Sequence, residues 1–295
     1  VNLNEPAASQ FAVYGPTFLD VVMGPLDGPP VPGHEAWVEG ALMCAGGAAN
    51  QAIALARLGA PVRLHSRVGV DQMGVFVDEM LAREGVDTSS CERAGEQNVT
   101  VSLSFDGDRA MTTRGTTALP PLDGEAPACL LADVRGIGAN SEVVASWRER
   151  GTWVLADTAW DEAGAWDEAD LEALRLADVC TPNEEEALAY ARTQSVEDAA
   201  RWFSSFGCDC VVTCGKNGVI ACVDGQILRV PAPAVDAVDT TGAGDVFSAA
   251  LAWARRARRM PWPEALALAC AAAAHSTQGI GGSSSAPYAA DLPGA

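Results

Sequence analysis

An α/β fold with a largely parallel sheet and a small added β element is what this sequence predicts, on three observations. Short apolar, β-branched runs alternate with Ala- and Leu-rich stretches of helical length, the pattern of an α/β architecture. Gly59, Gly85, Gly151 and Gly207 each stand where a helical stretch gives way to a turn, as helix-end glycines do. Two segments, Pro32 to Cys44 and Asn98 to Arg114, break the alternation with strand-like runs, turn punctuation (Asp106-Gly107-Asp108) and no helix, which predicts antiparallel hairpins outside the main sheet.

Taken in order, the candidate strands are Phe11 to Tyr14, Val62 to Ser66, Ala128 to Ala132, Trp153 to Ala156, Val179 to Thr181 and Cys210 to Thr213. Helices are expected over Asn50 to Leu58, Gly74 to Glu84, Ser141 to Arg150, Glu184 to Arg192, Val196 to Phe206, Gly244 to Arg259 and Pro263 to Thr277. Gly281 to Ser285 reads as a linker by composition. A length of 295 residues suits one large α/β domain with an appendage.

Lys and Arg number 19 against 39 acidic residues, a formal charge of −20, and such a field repels nucleic acid and anionic membranes. A phosphate-bearing ligand must therefore be held locally, by backbone N–H groups, a metal ion or a few placed cations. There is no apolar run of transmembrane length, and Val1 to Gln10 lacks the positive start and apolar middle of a secretory leader, so a cytoplasmic protein is expected. The nine cysteines are odd in number and include no Cys-x-x-Cys pair or zinc spacing; Cys208, Cys210, Cys214 and Cys222 are expected as small buried hydrophobes. His34, His65 and His275 have no partners at metal spacing.

The most informative stretch is Val238-Asp239-Thr240-Thr241-Gly242-Ala243-Gly244-Asp245-Val246-Phe247. It opens a helix whose far end carries Arg255, Arg256, Arg258 and Arg259, cations that complement the negative end of the dipole. The near end offers unpaired N–H groups, and its glycines let phosphate oxygens approach the backbone. Asp245, in the first turn, is placed to accept a proton from a substrate hydroxyl attacking a γ-phosphate, and the dipole is expected to depress its pKa. The alternative is that Asp239 or Thr240 merely caps the helix and Asp245 is a favourable first-turn acid.

Asp239 to Asp245 resembles the C-terminal signature of ribokinase-like (PfkB) carbohydrate kinases, and other blocks of that family recur in order. Ala45-Gly46-Gly47-Ala48-Ala49-Asn50-Gln51-Ala52, then Leu58-Gly59-Ala60 and Val68 to Gly74, resembles the N-terminal signature, with Ala45 where a first glycine is common. The resemblance implies a ribokinase-like three-layer α/β/α sandwich with a mostly parallel central sheet plus a small β-sheet lid. It implies one domain over 1–295 with the lid inserted as 32–44 and 98–114. The implied activity is ATP-dependent phosphorylation of a sugar hydroxyl, with Asp245 as base and the amides of Gly242, Ala243 and Gly244 as anion hole.

By the same resemblance, Gly15 to Asp20 is a strand-end loop, and Asp20, Asn50, Gly46, Gly47, Thr100 and Arg114 face the substrate. Asn183, Thr213, Gly215, Gly218 and Thr240 are expected near the nucleotide. Asn183 and Glu186 would organise Mg²⁺ through water, although Asn followed three residues later by Glu is also an ordinary capping box. Asp239, Thr241, Gly281 and Ser285 would surround a monovalent cation such as K⁺. The partners implied are ATP and a small sugar, with a homodimer through the lid at Trp37 and Val38.

Phe18 stands where ribokinases proper carry a polar sugar ligand, so ribose is not assured. The alternatives left open are a phosphosugar or 2-keto-3-deoxy sugar acid held by Arg114 and Arg135, a nucleoside stacked on Phe18 and Trp37, and a catalytically silent sensor that kept the fold.

Overall fold

A computed structural model describes residues 11–105, 108–158, 161 and 163–294. Val1 to Gln10, Gly107 of the expected hairpin turn and Trp160 lie outside the described residues. Eight strands form the main sheet. Its order runs Gln226–Val230, Val219–Val223, Asp209–Thr213, Val179–Cys180, Trp153–Asp157, Cys129–Asp133, Phe11–Tyr14 and Val62–His65. The last six are mutually parallel, and the first two add an antiparallel edge.

Successive strand residues point to opposite faces, and here both faces are covered. Phe11, Val13, Leu64, Leu131 and Leu155 enter one core with the helices Ala48–Arg57, Ala243–Arg256 and Trp262–Ser276. Ala12, Tyr14, Leu130, Val154 and Cys210 enter the other with Ser141–Glu149, Glu184–Ala191 and Val196–Ser204. Burial on both sides explains why these strands read as continuous apolar runs rather than as alternations. Gly59, Gly85, Gly151 and Gly207 all have positive φ, as turn positions after helices require.

A second sheet of four strands stands apart, in the order Gly40–Gly47, Thr17–Leu26, Asn98–Phe105 and Asp108–Arg114. Two expectations change here. Gly15 to Asp20 is not a strand-end loop: from Thr17 onward it belongs to this sheet's ten-residue strand, pairing antiparallel with Gly40–Gly47 and parallel with Asn98–Phe105. Over 32–44, only the part from Gly40 onward is strand.

All nine cysteines are free thiols and eight are buried, as expected of small core residues. Among the described residues no helix is long and apolar enough to cross a membrane, and no group of three His, Cys, Asp or Glu could hold a metal ion by direct ligation alone.

Candidate active site

The chain leaves Phe11–Tyr14 for Val62–His65 on one side of the sheet and later returns to Cys129–Asp133 on the other. Where strand order reverses in this way, the loops diverge and leave a crevice at the C-terminal strand ends. A cavity of about 120 Å³ lies there, lined by Tyr14, Gly15, Pro16, Gly47, Ala48, Gln51, Ala132, Asp133, Asp157 and Asp245.

Asp245 enters this cavity from the first turn of the helix Ala243–Arg256. Its neighbour Gly242 caps that helix with a left-handed φ of 70°, and a β-carbon there would lie 2.8 Å from the Gly282 Cα. Ala243 N–H closes a turn on the Thr240 carbonyl at 3.3 Å, whereas the N–H groups of Gly242 and Gly244 have no acceptor among the described residues. Nothing lies within 4 Å of where a Gly244 β-carbon would be, and the residue is exposed.

Two amides hold the Asp245 carboxylate: Asn50 Nδ2 donates to Oδ2 at 2.9 Å and Gln51 Nε2 to Oδ1 at 3.2 Å. The expectation that Asp245 titrates low is overturned. Burial pushes its carboxyl up to about 6 despite both donors; desolvation can move a carboxyl by several units, while a helix terminus is worth about 0.3–1 kcal/mol.

Asp20 is also pushed up to about 6, first by burial and then by the Asp245 carboxylate, with the Thr100 hydroxyl pulling the other way. A β-carbon on Gly46 would fall inside the Asp20 carboxylate, and one on Gly47, at φ 63°, would strike Pro16 and the Phe18 ring. These glycines are the space in which Asp20 and Phe18 sit. Asn50 is spoken for at both ends, since its Oδ1 accepts from Ser283 N–H at 3.0 Å; its contacts run to Asp245 and the last loop.

That loop is no linker. Gly282–Ser285 is a short 3-10 turn, fixed by Asn50, by Ser283 Oγ donating to the Ala45 carbonyl at 3.1 Å, and by Arg57 Nη1 donating to the Ser284 and Ala286 carbonyls. Asp239 ties it to the helix start, accepting from Thr241 N–H at 2.9 Å and Gly281 N–H at 2.8 Å. Thr241 Oγ1 is buried there without a hydrogen-bond partner, and Ser285 Oγ stands 3.5 Å from the Ile280 carbonyl.

On the other side of the cavity, Asn183 and Glu186 form a complete capping box, and Glu186 Oε2 also accepts from Thr158 Oγ1 at 2.7 Å. Thr213 N–H donates to the Pro182 carbonyl at 3.0 Å, which brings the two loops together. Gly215 has φ 53°, and a β-carbon on Gly218 would run into the Val230 carbonyl, so packing alone demands glycine at 218. Burial, with Glu186, Asp245 and Asp133 nearby, pushes Asp157 well above the usual carboxylate range.

Gln51, Asp133 and Asp157 were missed in the sequence. Both acids end an apolar strand and pair across adjacent strands; an Asp at a parallel strand's C-terminal end was the available signal. Arg114 does not turn inward: it pairs with Glu96 at an exposed position. Arg135 is exposed, and its charge is felt at Asp161 and Tyr190, so these two cations do not converge. The lid cation that reaches the helix start is Arg109, whose Nη1 donates to Thr240 Oγ1 at 3.2 Å.

The family model for pfkB family carbohydrate kinases matches residues 38–118 and 139–289. A fructokinase of Klebsiella pneumoniae is 34% identical over 85% of this chain and 91% of its own. A ribokinase of Haemophilus influenzae is 32% identical over 82% of this chain and 83% of its own. An Escherichia coli structure assigned as a ribokinase II, in complex with ATP and Mg²⁺, superposes with a TM-score of 0.80 at 20% identity, covering 96% of this chain and 97% of its own.

Proposed function

The chain belongs to the pfkB family of carbohydrate kinases, and from that premise we propose that it moves the γ-phosphoryl group of ATP onto a hydroxyl of a small neutral sugar, with Asp245 as base. The observation that carries this is the Asp245 carboxylate, held by Asn50 and Gln51 beside the unoccupied N–H groups of Gly242 and Gly244.

With its pKa near 6, Asp245 is ionised at pH 7.5 yet basic enough to collect a hydroxyl proton. The acceptor oxygen bonds to the γ-phosphorus, the bond from that phosphorus to the β–γ bridging oxygen breaks, ADP leaves, and the proton ends on Asp245. Charge gathering on the transferring group and the departing oxygen meets the Gly242 and Gly244 amides, which need no reorganisation. Asp20, facing Gly46 and Thr100, orients the sugar as a charged acceptor for its hydroxyls. Thr213, Gly215 and Thr240 border the nucleotide, and Gly218 shapes that turn.

Mg²⁺ fits as a guest held through water. Asn183 and Glu186 spend part of their capacity on the capping box, and Asp133 and Asp245 line the cavity nearby, while the ion ordinarily keeps several waters. Held there by Asn183 and Glu186 through water, it would supply positive charge to offset that of the phosphates. The orphaned Thr241 hydroxyl, Asp239, Gly281 and Ser285 offer oxygen donors suited to a monovalent cation such as K⁺. The four-stranded sheet is the lid on a single domain, and its exposed Trp37, Met43 and Met111 suit pairing of two lids. An intracellular site of action follows from the use of ATP.

A second reading, an acceptor that already carries an anionic group, draws on Arg109 beside Thr240. Turnover of a panel of neutral and anionic sugars with Mg-ATP separates the two: neutral sugars should be phosphorylated, and Arg109→Ala should spare them while weakening any anionic substrate. Wild-type turnover in Asp245→Asn with the best substrate would remove the base assignment.

A further inference from the structure

The helix Ala243–Arg256 ends at a second cavity, of about 410 Å³, lined by Ala128, Arg255, Arg256 and Arg259. At about 1.5 Å per residue, the helix's 14 residues put this cavity on the order of 20 Å from the catalytic cavity, at the N-terminal end of the interior strand Cys129–Asp133. None of the three arginines lies within ion-pair distance of a carboxylate among the described residues, in a chain with 39 acidic residues and only 19 basic ones.

Aromatic rings hold two of the guanidinium groups: Arg255 lies 4.3 Å from the Trp262 ring centroid and Arg256 lies 5.8 Å from that of Trp153. Stacking fixes the planar fork while leaving N–H donors at its edge. Arg255 Nη1 donates to the Met260 carbonyl, but its Nε is buried with no acceptor. Arg259 is brought in by a left-handed backbone, φ 53°, just past the helix end.

The plain account is that cations gather at a helix C-terminus to complement its dipole. It explains a cation in the last turn. It does not explain three around one cavity, where burial and then Arg256 disfavour the charge on Arg255, and Asp209 and Asp224 favour it without reaching ion-pair distance. We propose that this cavity binds a phosphate ester of a small metabolite, with Arg255, Arg256 and Arg259 as its donors. Guanidinium forks match phosphate oxygens in pairs. The volume exceeds what bare phosphate needs and falls within the range of small-molecule sites, while the overall charge of −20 opposes a nucleic acid.

The test is calorimetric titration of the full chain with glycerol 3-phosphate, with Mg-ADP saturating the catalytic cavity and glycerol as the neutral control. One equivalent should bind, sulfate should compete, and R256Q/R259N should weaken binding at least tenfold. Both substituted side chains are exposed, so the fold should stand. Arg255→Lys, which keeps the charge but loses the fork, should also weaken binding about tenfold.

Glycerol 3-phosphate binding no better than glycerol, binding indifferent to these substitutions, or binding abolished by Mg-ADP would each overturn the site. Kinase turnover in phosphate-free buffer should be unchanged in R256Q/R259N, so loss of this site and failure of the catalytic assignment are read separately.

Discussion

The two ends of the helix Ala243–Arg256 carry opposite chemistry. At its start, Gly242 and Gly244 present bare amides, and the neighbouring side chains are acids: Asp20, Asp133, Asp157 and Asp245. At its finish, three arginines surround a cavity that no carboxylate enters. In the proposed roles, the backbone would supply the attraction for phosphate at the first end and side chains at the second. That difference separates catalysis from simple retention. Burial keeps Asp20 and Asp245 close to titration, which suits proton transfer; arginines offer affinity without a base.

The largest test of this contrast is Asp245→Asn, which should lower kcat by about 10²–10⁴-fold without unfolding the protein. The sign of the stability change follows from linkage. Because the folded-state pKa, about 6, lies above the ordinary carboxylate value, the folded protein holds the proton more tightly across pH 4 to 6, so ionisation disfavours the fold above that window. The Asn variant should therefore melt no lower than wild type at pH 8, and any advantage should fade toward pH 4. A large drop in Tm at pH 8 would contradict the burial argument.

Next come the glycines, which separate crowding from access. Gly46→Ala must displace the Asp20 carboxylate and should raise KM for the sugar about tenfold or more, with a lower Tm. Gly244→Ala meets nothing within 4 Å, and Ala is the better helix former by about 1 kcal/mol, so Tm should hold or rise. Its kcat should nonetheless fall about tenfold, because the methyl group stands where phosphate approaches the amide. Equal effects of the two changes on Tm would erase the distinction.

A smaller effect is the pH profile. With two acids near 6, kcat/KM should fall as pH drops below about 6. Asn50→Ala and Gln51→Ala each remove a donor that favours ionised Asp245, so the acid limb should move to higher pH. A limb that stays in place in both variants would mean that the amides only pack. The smallest expected effect is at the other end, where R256Q/R259N should leave kcat/KM with phosphate-free substrates unchanged.

How much of this was legible in sequence depended on whether local chemistry decided the outcome. The six parallel strands were readable because burial on both faces forces continuous apolar runs, as in Phe11–Tyr14 and Cys129–Asp133. Thr17–Leu26 was not. Its buried positions switch face, from Thr17 and Leu19 to Val22 and Gly24, and it carries Asp20 and, near its end, Gly24-Pro25, all features that suggest a turn until its partners from distant segments are known. The Asp239 to Asp245 block marked its helix start correctly, but the protonation behaviour of Asp245 depends on Asn50 and Gln51, nearly 200 residues away in sequence. Gly281 to Ser285 looked like a linker because small residues also serve where three segments press together, and only contacts tell the cases apart.

The Asn50 amide, joined to partners 195 and 233 residues further along the chain, has a consequence for biogenesis. Closing loops of that length is among the slower steps available to a chain, and a ribosome has released most of the protein before either partner exists. The sheet's parallel strands can assemble while synthesis continues, yet Asp245 gains its donors only once the helix Ala243–Arg256 has docked against Ala48–Arg57, and the proposed base is thus set in place late in folding.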